Sequence, residues 1–165
     1  ITFKITFMKN TATFVVATTV GVILDIVSKW VVFSKISEFD KITLIPGLIN
    51  ILCSRNEGVV FGLFPGKTNI FIIFSIIAIA IIIYIYIKSD KVLFASNLAL
   101  GLILAGAIGN LWDRIWYGHV RDFIDLHIGN KYHWPTFNIA DSLICIGISF
   151  MVFASFSASK PSTSD

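Results

Sequence analysis

The chain has 165 residues and a formal net charge of +3, and 14% of its residues are charged, against roughly 25% in a soluble domain. Apolar residues make up 56% of it and the mean hydropathy is +0.84, which is more apolar surface than a soluble domain of this size can bury. The composition excludes an ordinary cytosolic, fibrous, disordered or nucleic-acid-binding protein and indicates an integral membrane protein, with one domain over residues 1–165.

Four stretches of the sequence are apolar over about the 20 residues that a membrane-spanning helix needs. They predict helices over residues 12–33, 69–87, 92–111 and 139–157. The two tails and the short loop between the second and third helices carry basic residues at about twice the density of the two long loops. Because basic residues concentrate on the cytoplasmic side, both termini are predicted inside and the long loops, over residues 34–68 and 112–138, outside.

The first of these outer loops has the pattern of a small β-sheet. Two β-prone apolar stretches, residues 42–45 and 48–53, flank the turn-forming pair Pro46 and Gly47. The predicted fold is therefore an all-α membrane protein of four transmembrane helices with a β-rich cradle in the first outer loop.

Small residues recur along one side of the third predicted helix. Gly101, Ala105 and Gly109 follow one another at intervals of four residues. Because such a stripe leaves room for another backbone, it predicts close packing against a neighbouring helix.

Ionisable side chains at membrane depth are costly unless they are paired or functional. Asp25 and Lys29 are four residues apart on the first helix and share a face, which predicts a structural ion pair, with a chemical role for Lys29 as the weaker alternative. At the end of the third helix, Asn110 precedes Asp113 and Arg114. These two charges fit an ordinary interfacial pair, and an arginine there also suits holding a carbonyl or carboxylate group.

Two further aspartates, Asp122 and Asp141, lie on opposite sides of a short loop that returns to one membrane surface. Asp141 opens the fourth helix, where the helix dipole favours an acid and Asn138 is placed to cap the helix, so a purely structural role stays open. If the two carboxylates meet, they cannot both ionise cheaply, and they share one proton. Such a pair divides acid and base roles as in aspartic proteases, and a proton relay in a transporter would use the same residues.

Other site chemistries have weaker support in the sequence. His119, His127 and His133 are spaced unlike a helix-borne metal pair, so we predict three surface histidines and no metal site. Cys53 and Cys145 lie far apart and form neither a disulfide framework nor a zinc spacing. A catalytic thiol is disfavoured because Cys53 has no recognisable base near it in the sequence.

Five short motifs, taken in order, resemble those of the bacterial lipoprotein signal peptidases (signal peptidase II). They are Asp25-x-x-Ser28-Lys29, Asn56-x-Gly58-x-x-Phe61, Gly109-Asn110-x-x-Asp113-Arg114, Val120-x-Asp122-Phe123-x-Asp125 and Phe137-Asn138-x-Ala140-Asp141-Ser142. Together they cover most of the chain, and each falls at the matching place of a four-helix topology. The Tyr-Asp and Gly-x-Gly-Asp pair of the presenilin-like proteases does not occur.

The resemblance implies an intramembrane aspartyl endopeptidase of the bacterial cytoplasmic (inner) membrane, with its active site near the extracytoplasmic face. Its substrate would be a prolipoprotein, cut before the diacylglyceryl-modified cysteine. Asp122 and Asp141 match the catalytic pair of the family. The positions that match substrate-binding residues are Asn56, Gly58, Asn110, Arg114, Asn138 and Ala140, and those that match supporting polar residues are Asp25, Lys29 and Asp113.

The resemblance further implies a monomer among membrane lipids, inhibition by globomycin-type cyclic peptides, and neither a metal nor an organic cofactor. The chain departs from the family pattern with Val59 and Val60 where small residues are usual, and with Ile26 in place of a common Gln. It also places Arg121 beside Asp122, where a side chain turned towards the carboxylate would favour the ionised form.

The alternatives to a protease are a small transporter or proton-relay protein and a purely structural membrane subunit. A relay needs charges along a path through several helices, whereas the motif charges gather near the outer ends of helices one, three and four. A structural subunit would not need polar groups there. The charge distribution therefore favours a protease site near the membrane surface.

Overall fold

A computed structural model describes residues 2–58, 68–88, 94–129 and 131–158, with side chains placed within residues 11–153 of those ranges. The motif residues Val59 and Val60 lie outside them. The described elements, in chain order, are α1 (Thr2–Lys35), β1 (Lys41–Ile45), β2 (Ile49–Asn56), α2 (Thr68–Lys88), α3 (Phe94–Tyr117), β3 (Val120–Ile128), β4 (Tyr132–His133) and α4 (Ile139–Ala158).

Two of the helices are longer than the apolar pattern predicts. The helix α1 begins at Thr2 rather than near residue 12, because no glycine or proline interrupts residues 2–11. The helix α3 continues beyond residue 111 to Tyr117 and ends where Gly118 adopts a φ of 75°. Both Asp113 and Arg114 therefore belong to the last turns of a helix and not to a loop.

Three described helices contain stretches long and apolar enough to cross a membrane: Thr11–Lys35, Thr68–Lys88 and Phe94–Tyr117. In α4 the residues whose side chains are described, Ile139–Phe153, are likewise apolar. The chain is thus mostly helical with strongly apolar helices, as predicted, while the fourth span and the inside position of both termini stay predictions.

Small residues let α3 pack closely against α1. A Cβ atom added at Gly101 would lie 2.8 Å from the backbone oxygen of Phe14, and one added at Gly109 would overlap the carboxylate of Asp25. A Cβ atom at Gly21 of α1 would lie 2.6 Å from that of Ala105. The predicted stripe is confirmed as a packing surface, and it brings α3 against the part of α1 that carries Asp25.

The apolar side chains of the helices form a small buried core, and the others are exposed on the outer surface of the helices. Phe14 of α1 belongs to a buried cluster with Ile82, Leu100 and Leu104, and its ring stacks on Tyr86 of α2 at 3.9 Å. The outer face of α2 is exposed along much of its length and is apolar. Such a face suits contact with lipid chains, which are as apolar as the side chains themselves.

The four described strands form one antiparallel arrangement in the order β1-β2-β3-β4. The hairpin of β1 and β2 turns at Pro46 and Gly47, as predicted, and Gly47 has a φ of 75°, which suits glycine. The strand β2 then pairs with β3, placing Asn56 opposite Val120. The sheet predicted in the first long loop is therefore present as β1 and β2, but it extends beyond that loop, since β3 and β4 come from the second.

The pattern of β3 explains why its strand character was missed. Val120 and Phe123 are buried as in an ordinary strand, but Arg121, Asp122 and Asp125 are also at most 5% exposed. Burial of polar and apolar residues alike removes the alternation by which a half-buried strand is recognised. Polar groups buried in a strand need partners, and these partners form the site.

Candidate active site

The carboxylates of Asp122 and Asp141 come from different elements and open into one cavity. Asp122 lies in β3 and Asp141 in the first turn of α4. The cavity has a volume of about 620 Å³. Of the residues matched to the family's substrate-binding positions, four line it with the two aspartates, namely Asn56, Gly58, Asn110 and Arg114.

The side chain of Asn138 links the two aspartates. Its Nδ2 donates to Oδ1 of Asp122 at 2.6 Å and to Oδ1 of Asn110 at 3.1 Å. Nδ2 of Asn110 in turn donates to Oδ1 of Asp141 at 2.8 Å. Asn138 is fully buried, so this network fixes both carboxylates relative to each other.

Asn138 and Asp141 also cap the helix α4 reciprocally. The backbone N–H of Asp141 donates to Oδ1 of Asn138 at 3.0 Å, and the backbone N–H of Asn138 donates to Oδ2 of Asp141 at 3.2 Å. The predicted capping by Asn138 is confirmed. The cap uses Oδ2 of Asp141, whereas Oδ1 accepts from Asn110. Capping α4 is therefore compatible with a role of Asp141 at the cavity.

Burial, and after it the negative charge of Asp141, raise the pKa of Asp122 to about 7. The amides of Asn138 and Asn56, whose Nδ2 donates to Oδ2 of Asp122 at 3.0 Å, act in the opposite direction. Asp122 therefore holds a proton up to about neutral pH.

The charge of Arg121 does not turn towards Asp122. Its Nη2 lies 2.8 Å from Oδ1 of Asp113, and its backbone N–H donates to Oδ2 of the same carboxylate at 3.0 Å. The condition under which Arg121 would favour ionised Asp122 is therefore not met. Asp113 pairs with Arg121 and Lys29, rather than forming a simple interfacial pair with its neighbour Arg114.

Lys29 is the centre of a fully buried ionic cluster beneath the cavity. Its Nζ lies 2.8 Å from Oδ2 of Asp25, 3.1 Å from Oδ2 of Asp113 and 3.2 Å from Oδ1 of Asn110. The predicted ion pair of Asp25 and Lys29 is confirmed, within a larger network. Asp25 also accepts the backbone N–H of Ala140 at 2.9 Å, which ties the start of α4 to α1.

Arg114 reaches the cavity from the end of α3. Its Nη1 donates to the backbone oxygen of Asn110 at 3.3 Å and its Nη2 to that of Gly58 at 3.4 Å. The backbone N–H of Gly58 donates to Oδ1 of Asn56 at 3.1 Å. Among the described residues, the buried Nε of Arg114 has no hydrogen-bond partner.

Residues 134–136, which the sequence did not predict, form a wall of the cavity together with Phe137 of the last motif. Phe137 pairs with Ile124 of β3, since the N–H of Ile124 donates to its oxygen at 2.8 Å and its own N–H donates back at 3.1 Å. This pairing of Phe137 with β3 places the next residue, Asn138, beside Asp122. An aromatic and proline-containing segment directly before the last motif was the available signal.

The described residues with the spacing of metal ligands lie outside the cavity lining. They are Asp125, His127 and His133. The prediction that all three histidines lie at the surface was wrong for His127, which is 7% exposed. Cys53 donates its S–H to the backbone oxygen of Ile36 at 3.3 Å.

Comparison with known proteins agrees with the motifs. The profile of the family described as Signal peptidase (SPase) II matches residues 17–157. A lipoprotein signal peptidase of Staphylococcus aureus (strain JH9) is 38% identical over 133 residues, covering 81% of each chain. The protein of the same name from strain Newman matches to the same extent.

Solved structures of two bacterial membrane enzymes share the fold. The first superposes with a TM-score of 0.84 and 33% identity, covering 93% of this chain and 94% of that one. The second has a TM-score of 0.77 and 35% identity, covering 87% and 92%. With the profile spanning most of its length and relatives at these identities, the chain belongs to the signal peptidase II family.

Proposed function

We propose that the protein, as a lipoprotein signal peptidase, removes signal peptides from prolipoproteins with Asp122 and Asp141 as its catalytic pair. The observation that carries the assignment is the linkage of both carboxylates through Asn138 at the opening of one cavity. The raised pKa of Asp122 supplies a carboxylic acid at neutral pH, and Asp141 accepts two N–H groups, which suits a carboxylate.

The proposed reaction is a water-mediated hydrolysis of the peptide bond. Ionised Asp141 takes a proton from a water whose oxygen attacks the scissile carbonyl carbon, while protonated Asp122 donates its proton to the carbonyl oxygen. In the second step the C–N bond breaks: Asp141 returns its proton to the leaving nitrogen, and Asp122 recovers one from the tetrahedral carbon's hydroxyl group. The products are the signal peptide with a new C-terminal carboxyl group and the lipoprotein with a free amino group on its lipidated cysteine.

Substrate binding is assigned to the polar rim and the apolar wall of the same cavity. Arg114 lines this cavity, and its guanidinium would hold a backbone carbonyl of the signal peptide. Asn56 already holds Asp122 and would orient the peptide beside it. Trp134, Ile144 and Ile146 line the apolar side, where the cysteine's acyl chains would lie against lipid.

The proposed orientation puts both termini in the cytoplasm and the sheet with the active site near the extracytoplasmic face of the inner membrane. Strands follow the C-terminal ends of α1 and α3 and precede the N-terminal ends of α2 and α4. If the chain crosses the membrane in each helix, all four of these ends lie on the side of the sheet. Four spans satisfy this arrangement. One chain contains both aspartates, so a monomer is sufficient, and globomycin-type peptides would compete for the cavity.

A transporter is less well supported by the same polar groups. A relay requires titratable residues along the membrane's depth, yet the described acids of α1 and α3, Asp25 and Asp113, lie towards the end that meets the sheet. The described helix α2 carries no charged residue before Lys88 in its last turn. The described charges of these helices therefore lie towards one surface of the membrane and do not form a path across it.

Cleavage of a diacylglyceryl-modified prolipoprotein by the purified protein tests the function. We expect cleavage immediately before the lipidated cysteine, identified by mass spectrometry of both products. The matched control is the same precursor with that cysteine replaced by serine, which cannot be lipidated and should remain intact. An intact lipidated precursor, or equal cleavage of both, would contradict the proposed function.

A further inference from the structure

A second cluster of polar side chains lies on the sheet, outside the lining of the catalytic cavity. Nδ1 of His133 lies 2.9 Å from Oδ1 of Asp125, and Nδ1 of His127 lies 3.3 Å from Oδ2 of the same carboxylate. The two imidazole rings stack, with centroids 5.1 Å apart and planes at 17°. Both rings thus direct Nδ1 to one carboxylate.

Within the described residues, the buried Nδ1 of His127 in this cluster has no hydrogen-bond partner. The side chain of His127 is 6% exposed, and within the described part of the chain its Nδ1 has no hydrogen bond despite the nearby carboxylate. Protonating both stacked rings would place two positive charges face to face. A cation held between the two Nδ1 atoms and Asp125 would satisfy the unpaired nitrogen while both rings stay neutral.

We propose that Asp125, His127 and His133 form a Zn²⁺ site. Two neutral imidazole nitrogens and one carboxylate oxygen are a ligand set that zinc accepts, whereas Mg²⁺ and Ca²⁺ prefer oxygen ligands. Zinc bonds of about 2.0–2.1 Å in a tetrahedron separate ligand atoms by about 3.3 Å. The three ligand atoms lie within 4.8 Å of one another, and binding requires the half-exposed ring of His133 to turn out of its stack with His127 so that both rings point to one ion.

The surroundings supply an orienting contact and an entry path. Nδ2 of Asn50 donates to Oδ2 of Asp125 at 2.9 Å, which holds the carboxylate from the neighbouring strand as outer partners of metal ligands do. The side chain of His133 is 53% exposed, whereas those of Asp125 and His127 are 6% exposed. The open side next to His133 admits the ion and leaves a fourth position for water.

The position of the site gives bound zinc a structural consequence. The ion would join β4 to β3 through His133 and His127, and to β2 through the contact of Asp125 with Asn50. Directly after β4 the chain forms the cavity wall of residues 134–137 and then reaches Asn138. Zinc would therefore stiffen the segment that connects the strand of Asp122 to the helix of Asp141.

Metal binding is measured on the whole membrane protein in detergent, purified through a tag without histidines. Calorimetry with Zn²⁺ should show one equivalent bound by the wild type, and Co²⁺ should give the absorption bands of a low-symmetry nitrogen and oxygen site. His133→Ala, which changes a half-exposed side chain, should weaken binding by at least about tenfold. His119→Ala is the matched control and should bind as the wild type does.

The thermal midpoint provides an independent readout, because a ligand that binds the folded state stabilises it. Zinc should raise the midpoint of the wild type and of His119→Ala but not that of His133→Ala. All three proteins keep both cysteines, so thiol binding cannot produce the difference. Absence of zinc binding to the wild type, or equal binding by His133→Ala, overturns the site without bearing on the peptidase activity.

Discussion

Replacing Asp122 with Asn lowers kcat on the lipidated precursor by about 10²–10⁴-fold, because the amide cannot give a proton to the scissile carbonyl. Asp141→Asn has an effect of the same order, since an amide cannot accept the proton of the attacking water. The double variant should be little worse than either single variant, because the two carboxylates act as one unit. Precursor cleavage over time, followed by gel shift, measures all three rates.

The matched control for these variants is Asp40→Asn, the same chemical change at an exposed residue before β1. It should cleave at the wild-type rate. Circular dichroism and size-exclusion elution should be unchanged for every variant, which separates lost chemistry from lost folding. An Asp122→Asn or Asp141→Asn protein that cleaves within a few-fold of wild type would show that the catalytic pair is assigned wrongly.

Replacing Lys29 with Met destabilises the fold by about 3–5 kcal/mol, the range for removing one partner of a buried ion pair. Lys29, Asp25 and Asp113 are all fully buried, so the freed carboxylates cannot reach water. Arg121 still neutralises Asp113, whereas the described contacts of Asp25 then reduce to the N–H of Ala140. Thermal unfolding in detergent, followed by tryptophan fluorescence, measures the loss.

Two comparisons make the Lys29 result specific. Lys35→Met removes the same charge from the exposed last turn of α1 and should leave the unfolding midpoint within about a degree or two. Adding Asp25→Asn to Lys29→Met should recover part of the stability, because the uncompensated charge is then gone. Equal midpoints for the two lysine variants would show that the buried cluster does not stabilise the protein.

The fold was predictable where local chemistry decides it. The helices followed from apolar length, the hairpin from Pro46 and Gly47, and the approach of α3 to α1 from the small residues at intervals of four. The strand β3 was not predictable by pattern, because Asp122 and Asp125 are buried among apolar residues. Their burial depends on partners from β2 and from the segment before α4, which sequence spacing does not reveal.

The motifs grouped the residues of the candidate site, but they did not predict which side chains contact one another. The motifs name Asp122, Asp141 and Asn138, and the structure brings them together. The partner of Arg121 could not be predicted, because its neighbour Asp122 and the more distant Asp113 are both acids. Only the turn between α3 and β3 decides that the guanidinium meets Asp113. The burial of His127 has the same origin, since it depends on how β3 pairs.

The pH dependence of kcat/KM on the lipidated precursor tests most directly whether Asp122 and Asp141 share one proton. Protonated Asp122 is the acid in the proposed reaction, and its pKa is about 7. The rate should therefore fall above pH 7, approaching about tenfold per pH unit, and recover when the pH is lowered again. A kcat/KM that stays constant or rises from neutral pH into the alkaline range would contradict the shared proton and with it the assigned pair.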